Sequence, residues 1–272
     1  MLVSMQTDVT WSAEVLAKFP ELAICIGTIS GIHNQKENDL LRRLKKTVHE
    51  EAKAKYNVET LKDNPIVRAY RDFYWKLDID PTKTRPSGEA LLRRILNGNE
   101  LPNISTTVDA YNLASMQTIV PISGFDRDQL NPPFHVRFAR NEAFTGIGMD
   151  KPMQLTKKML VLTDEKQVLC IYPYRDSDHT KITLETQRPV IIGYGAPGIS
   201  QEQLKVAVER TLEYIKRVCG GESETPKVFG RFSKRPAKSS KHSLLSTLSL
   251  TKSKNKRALS RFRNESKSLL SF

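Results

Sequence analysis

Three features of the chain predict an α+β fold, a mixed sheet with packed helices. Five apolar runs, at 22–32, 134–139, 159–162, 167–172 and 189–194, have the composition of strands. Six other stretches space their apolar residues three and four apart, as amphipathic helices do. The two kinds do not alternate regularly, which disfavours a doubly wound parallel sheet. Hydrophobic residues make up 39% of the 272, enough to build a core.

The elements follow in chain order. Trp11, Val15, Leu16 and Phe19 predict a helix that Pro20 ends. Residues 22–32 read as a buried strand. Leu40, Leu41, Leu44 and Val48 give a second helix to about Tyr56, with Arg42, Arg43, Lys45 and Lys46 on its solvated face. Asn64-Pro65 opens the third. Asp63 or Asn64 can cap it, and Pro65 suits a first turn whose N–H has no helical partner. Tyr70, Tyr74 and Trp75 are expected in the core. Pro86-Ser87 starts a fourth helix, with Ser87 as N-cap and Asn97-Gly98 as its end. A turn and a helix over 108–116 come next. The turn at 163–166 is short enough for a hairpin. The last helix is signed at both ends. Ser200 with Gln203 forms a capping box, Leu204, Val208, Leu212 and Ile215 form the stripe, and Gly220-Gly221 closes it.

The charge is unevenly placed. There are 43 Lys and Arg against 30 Asp and Glu, a net charge of +13. Residues 226–272 hold thirteen of these cations and only Glu265 among the acids, so this segment carries +12. It also has eleven serines and few large apolar residues, too little apolar surface to offset its ordering entropy. Two domains are therefore expected: a nearly neutral globular part, 1–225, and a disordered basic tail, 226–272, able to bind RNA through phosphates. Cys25, Cys170 and Cys219 are widely spaced and show neither zinc nor Cys-x-x-Cys spacing, so free buried thiols are expected, with no metal. No signal peptide or membrane span is visible, and the cytoplasm is the expected compartment.

Residues 62–126 set Arg71, Arg85, Asp109, Asn112 and Asp126 among apolar neighbours. Ionic groups there need partners, so they are either capping and ion-pairing groups or the lining of a pocket. Within this stretch come Thr-Val-Asp-Ala-Tyr-Asn, with Val108, Asp109 and Asn112, and Val-Pro-Ile-Ser-Gly-Phe-Asp, with Pro121, Ile122, Ser123, Gly124, Phe125 and Asp126. These runs resemble the B3/B4 domain of the phenylalanyl-tRNA synthetase beta subunit, and more closely the freestanding B3/B4-domain proteins of prokaryotes. Tyr70-Arg71-Asp72, Thr84-Arg85-Pro86-Ser87 and Tyr174-Arg175-Asp176-Ser177 extend the resemblance, which covers roughly residues 10–220. It implies a mixed α+β fold with a central sheet. It also implies hydrolytic editing, in which tyrosine wrongly attached to the phenylalanine tRNA is cleaved. The chain departs from the pattern at two places. Ser123 stands where the synthetase run has histidine, and Gly193 stands near its pocket glutamate.

Ser123 is a candidate nucleophile or water-orienting hydroxyl, without a local histidine to make a triad. Of the five histidines, His179 is the candidate base. Asp176 can hold an ammonium, and Arg175 a carboxylate or phosphate; an internal salt bridge is the alternative. Arg85 lies near a helix start, a place suited to anions. The glycine run at 193–198 matches no phosphate-binding fingerprint, and no cofactor is expected. The expected function is aminoacyl-tRNA binding with deacylation in trans. The alternatives are a non-catalytic module for a tRNA end or amino acid, and a protein-interaction domain that its tail brings to RNA. Convergence of Ser123, Asp109 and Arg175 in one pocket favours either ligand reading over the third, and deacylation separates the first two.

Overall fold

Residues 8–230 are described by the structure, a computed structural model. They run β1 (Val9–Trp11), α1 (Ala13–Lys18), β2 (Ala23–Ser30), α2 (Asp39–Lys55), α3 (Pro65–Lys76), α4 (Ser87–Leu96), α5 (Thr106–Thr118) and β3 (Ile122–Asp126). Then come β4 (Phe134–Phe138), β5 (Ala143–Phe144), β6 (Met153–Gln154), β7 (Leu160–Thr163), β8 (Val168–Ile171) and β9 (Arg175–Asp176). The order ends with β10 (Pro189–Tyr194), α6 (Gln201–Cys219), β11 (Glu222–Ser223) and β12 (Lys227–Gly230). Irregular mixing of helices and strands makes this an α+β fold, as the sequence predicts. The basic tail lies, from residue 231 on, outside the described residues. Strand β12 pairs with β2, so the described fold continues past the expected boundary at 225.

Two sheets carry the site. The first has the order β1-β4-β7-β8-β9, with β1 parallel to β4 and the other neighbours antiparallel. The second runs β11-β2-β10-β3, and β12 also lies on β2. Helix α6 covers one face of the second sheet. Its Val208 and Leu212 lie over Gly27, where an added Cβ would sit 2.7–2.8 Å from their carbons. A bulkier residue there would push the helix off the sheet. The core between and beneath the sheets is aromatic. The Phe73 ring packs edge-on against Phe19 and Tyr172, and Tyr172 against Tyr194.

Local chemistry explains the boundaries. Asn64 accepts from the N–H groups of Ile66 and Val67 and so caps α3, with Pro65 in the first turn. The Ser200–Gln203 capping box is present in both directions. Cys25, Cys170 and Cys219 are buried free thiols.

Four expectations are corrected. Trp11 belongs to strand β1, because the chain turns at Ser12, whose side chain caps α1. Pro86 takes the N-cap position of α4, and Ser87 is its first residue. Trp75 is 55% exposed, since it falls on the outer side of α3 while Tyr70, Phe73 and Tyr74 turn inward. Residues 122–126, read only as a motif, form strand β3.

Candidate functional site

The two sheets bring an edge strand each to one place. Strand β3 is an edge of the second sheet and carries Ser123; strand β9 is an edge of the first and carries Asp176. The Ser123 hydroxyl donates to Asp176 Oδ1 at 2.7 Å. Asp176 lies opposite Cys170 in the β8–β9 ladder. The Cys170 sulfur is 3.2 Å from the Tyr194 hydroxyl, which also feels Ser123 and the Asp176 charge. Tyr111 packs on the face of β3 opposite the Ser123 hydroxyl. Its ring passes beside Gly124, where a Cβ would come 2.9 Å from Cε1, so only glycine leaves room for it.

The electrostatics are unusual for a carboxylate. Burial pushes the Asp176 carboxyl up to about 6; the Ser123 hydrogen bond and the Arg175 charge pull the other way without cancelling it. No ion pair reaches Asp176 among the described residues, and Ser123 is its one side-chain hydrogen-bond donor there. Burial also raises the Tyr111, Tyr194 and Cys170 groups, so these stay protonated and neutral. The result is one titratable anion, walled by neutral hydroxyl, phenol and thiol groups. Such a site suits a ligand that brings a positive charge.

The other residues singled out from the sequence are distributed differently. Asp109 is 1% exposed; it accepts from the Ile104 N–H at 3.0 Å and from Lys45 Nζ at 2.6 Å. Asn112 is half-buried on α5, one residue from Tyr111. Asp126 caps a short turn through the Asp128 N–H and accepts from the Thr186 hydroxyl at 2.7 Å. Arg71 makes a two-pronged contact with Glu89, at 2.8 and 2.5 Å, and Arg93 adds a third bond at 2.7 Å. Arg85 is exposed, just before the α4 cap. Arg175 is exposed and reaches the Ile147 carbonyl at 3.1 Å, because strand alternation turns it away from the Asp176 side.

Gly193 is separated from Ser123 by register. Ser123 pairs with Ile192 and Gly193 with Ile122, so the two residues face opposite sides of the sheet. A Cβ on Gly193 would meet Val208 of α6 at 2.9 Å, which gives the glycine a packing role. His179 is exposed and lines a different cleft of about 460 Å³, with Arg137, Glu142, Asp164 and Ser177. Its backbone N–H donates to the Ser177 hydroxyl at 3.2 Å.

The structure thus brings Ser123 and Asp176 into contact and leaves Arg71, Arg85, Asp109, Asp126, Arg175, Gly193 and His179 in other settings, so the expected convergence of Ser123, Asp109 and Arg175 in one pocket is not found. Sequence reasoning missed Cys170 and Tyr194, whose apolar strand context gave no sign of a polar network. Tyr111 lay inside a quoted motif and carried its signal there.

Fold and site together define an α+β domain with a carboxylate that no ion pair reaches, among the described residues, at a seam between sheet edges. The sequence pattern of the B3/4 domain matches residues 69–220, and the chain belongs to that family. Phenylalanine–tRNA ligase beta subunits are similar to it. That of Neisseria meningitidis serogroup B is 25% identical over 166 residues, 53% of this chain and 21% of its own length. The Photorhabdus laumondii subunit is 24% identical over 155 residues, 48% of this chain and 20% of its own. The chain therefore spans about a fifth of the length of these relatives. A solved N-terminal fragment of the phenylalanyl-tRNA synthetase beta subunit from Pyrococcus horikoshii covers 81% of this chain and 51% of that chain, at 14% identity and a TM-score of 0.45. No helix among the described residues is long and apolar enough to cross a membrane.

Proposed function

We propose that this protein binds the aminoacylated 3′ end of a tRNA and hydrolyses the ester in trans. The observation that carries the reading is the Ser123–Asp176 pair. A carboxylate with a pKa near 6 is ionised at neutral pH, and here it has no cation of its own. The α-ammonium of an aminoacyl ester would supply that cation. Membership of the B3/4 family and similarity to the beta subunits of phenylalanine–tRNA ligase support the choice of ester.

Each group then has a task. Asp176 holds the ammonium through Oδ2. Ser123 donates a hydrogen bond to Oδ1, which leaves the hydroxyl's lone pairs free to accept from a water beside the carbonyl. Hydrolysis joins the water oxygen to the carbonyl carbon and breaks the bond to the ribose oxygen. One of the water's protons ends on the departing ribose oxygen, and the other passes to solvent as the amino acid leaves as a carboxylate. The vicinal hydroxyl of the RNA relays the first proton, so positioning is the protein's main contribution. Discrimination by volume alone is limited to about 10–200-fold per methylene.

One observation favours a second reading, a non-catalytic binding module. His179, the candidate base, makes no hydrogen bond to the Ser123–Asp176 pair and lines another cleft. Deacylation of a panel of mischarged tRNAs by the purified protein separates the two. Turnover that Asp176→Asn and Ser123→Ala reduce supports hydrolysis. Binding without turnover leaves the module, and neither binding nor turnover refutes both.

A further inference from the structure

A second recess lies at the tip of the β8–β9 hairpin. It is a cleft of about 370 Å³ between the segment after α3, the approach to β7 and the hairpin tip. Its floor is apolar and aromatic, with Ile79, Met159, Leu160, Ile171, Tyr172 and Tyr174. Tyr172 is buried and spends its hydroxyl on the Gly195 carbonyl at 2.8 Å. Tyr174 is half-buried, its ring 6.5 Å from that of Tyr74.

The rim carries two lysines and two aspartates. Lys83 and Lys158 are 84% and 82% exposed, and their nearest carboxylates, Asp80 and Asp78, stand 4.0 and 3.5 Å away. Exposed pairs of that length contribute little, so both ammonium groups are available to another anion. Asp80 is already engaged by the backbone N–H and hydroxyl of Thr82.

An aromatic floor with two exposed, weakly paired lysines at its lip fits a nucleobase and its phosphate. The position of the cleft says which nucleotide. Tyr174 is two residues from Asp176, about 7 Å along an extended chain, with Arg175 between them. We infer that this cleft holds the nucleobase preceding the aminoacylated nucleotide of a single-stranded RNA end, with Lys83 and Lys158 on its phosphates. The inference rests on the reading of the Asp176 site as an aminoacyl-ester site. The two sites share one hairpin: its tip takes the base, and its second strand holds the ammonium.

The test uses the full chain and two non-hydrolysable probes, an aminoacyl-adenosine amide and the same unit ending a tri-ribonucleotide. The longer probe should bind more tightly. Tyr174→Leu should cost the longer probe about 5- to 150-fold, the value of one base–aromatic stack, and leave the shorter within about twofold. Replacing both exposed lysines, Lys83→Gln with Lys158→Gln, should flatten the log–log salt dependence of the longer probe by about 1.4. This second variant keeps the test open should Tyr174→Leu fold poorly. All variants carry the same basic tail, so its contribution cancels. Equal affinity for both probes, or an unchanged salt slope in the double variant, would overturn the inference. A trinucleotide without the aminoacyl group that binds through Tyr174, while neither aminoacyl probe responds to Asp176→Asn, would refute the ester reading and leave the base cleft standing.

Discussion

Glu89 is a buried carboxylate and Asp176 a half-buried one, and the protein treats them in opposite ways. Glu89 is fully buried, yet three bonds from Arg71 and Arg93 surround it. Burial pushes its pKa up, the two guanidinium groups outweigh burial, and the net shift is downward. Asp176 has one hydroxyl for a partner, and burial wins. A carboxylate with its own cations is a strut between α3 and α4. A carboxylate without one is an unfinished interaction that a ligand can complete.

Removing the strut should have the largest effect. Glu89→Gln leaves two partly buried guanidinium groups facing a neutral amide. The expected loss is about 3–5 kcal/mol of unfolding free energy, the range for breaking a buried pair, measured by urea denaturation. A loss under about 1 kcal/mol would remove the distinction between the two sites.

The opposite sign is expected at Asp176. Its folded pKa of about 6 lies above the unfolded value of 3.8, so the native state holds its proton more tightly. Stability from this group is present below pH 4 and is lost as pH rises through 6. The ionised form costs at most about 3 kcal/mol, less in proportion to the side chain's remaining exposure. Asp176→Asn should therefore raise stability at pH 8, leave it unchanged near pH 4, and weaken binding of aminoacyl esters about 10- to 150-fold. Glu89 runs the other way: its lowered pKa gives stability that is present at neutral pH and lost on acidification.

Ser123→Ala should act more gently, because the partner it abandons can be rehydrated from the open side. About 1 kcal/mol of stability should go, and the Asp176 titration should move upward, since the hydroxyl was the largest force lowering it. A downward movement would show that the hydroxyl does not donate to the carboxylate. Deleting residues 231–272 should change the melting temperature least of all. The same deletion should weaken non-specific RNA binding and its salt dependence, because that segment holds most of the net charge.

The sequence carries the strut and the site unequally. Helices α3 and α6 were legible because Asn64-Pro65 and the Ser200–Gln203 box are local signals. Strand β3 was not, because Ile-Ser-Gly-Phe-Asp mixes turn formers with apolar residues; only pairing with β10 decides its state. Ser123 and Asp176 could each be singled out, but their contact spans 53 residues and two sheets. Arg71 looked like a pocket residue because its partner, 18 residues on, is visible only once α3 and α4 pack. The face of Gly193 depends on the register of β10, where a slip of one residue would reverse it.

The central claim is that Asp176 waits for a cation. The direct measurement is the Asp176 carboxyl titration, followed by NMR, in the free protein and with the aminoacyl-adenosine amide bound. The account expects a midpoint of about 6 in the free protein, falling by at least about one unit when the ammonium occupies the site. A midpoint that does not move on saturation with the amide would contradict it.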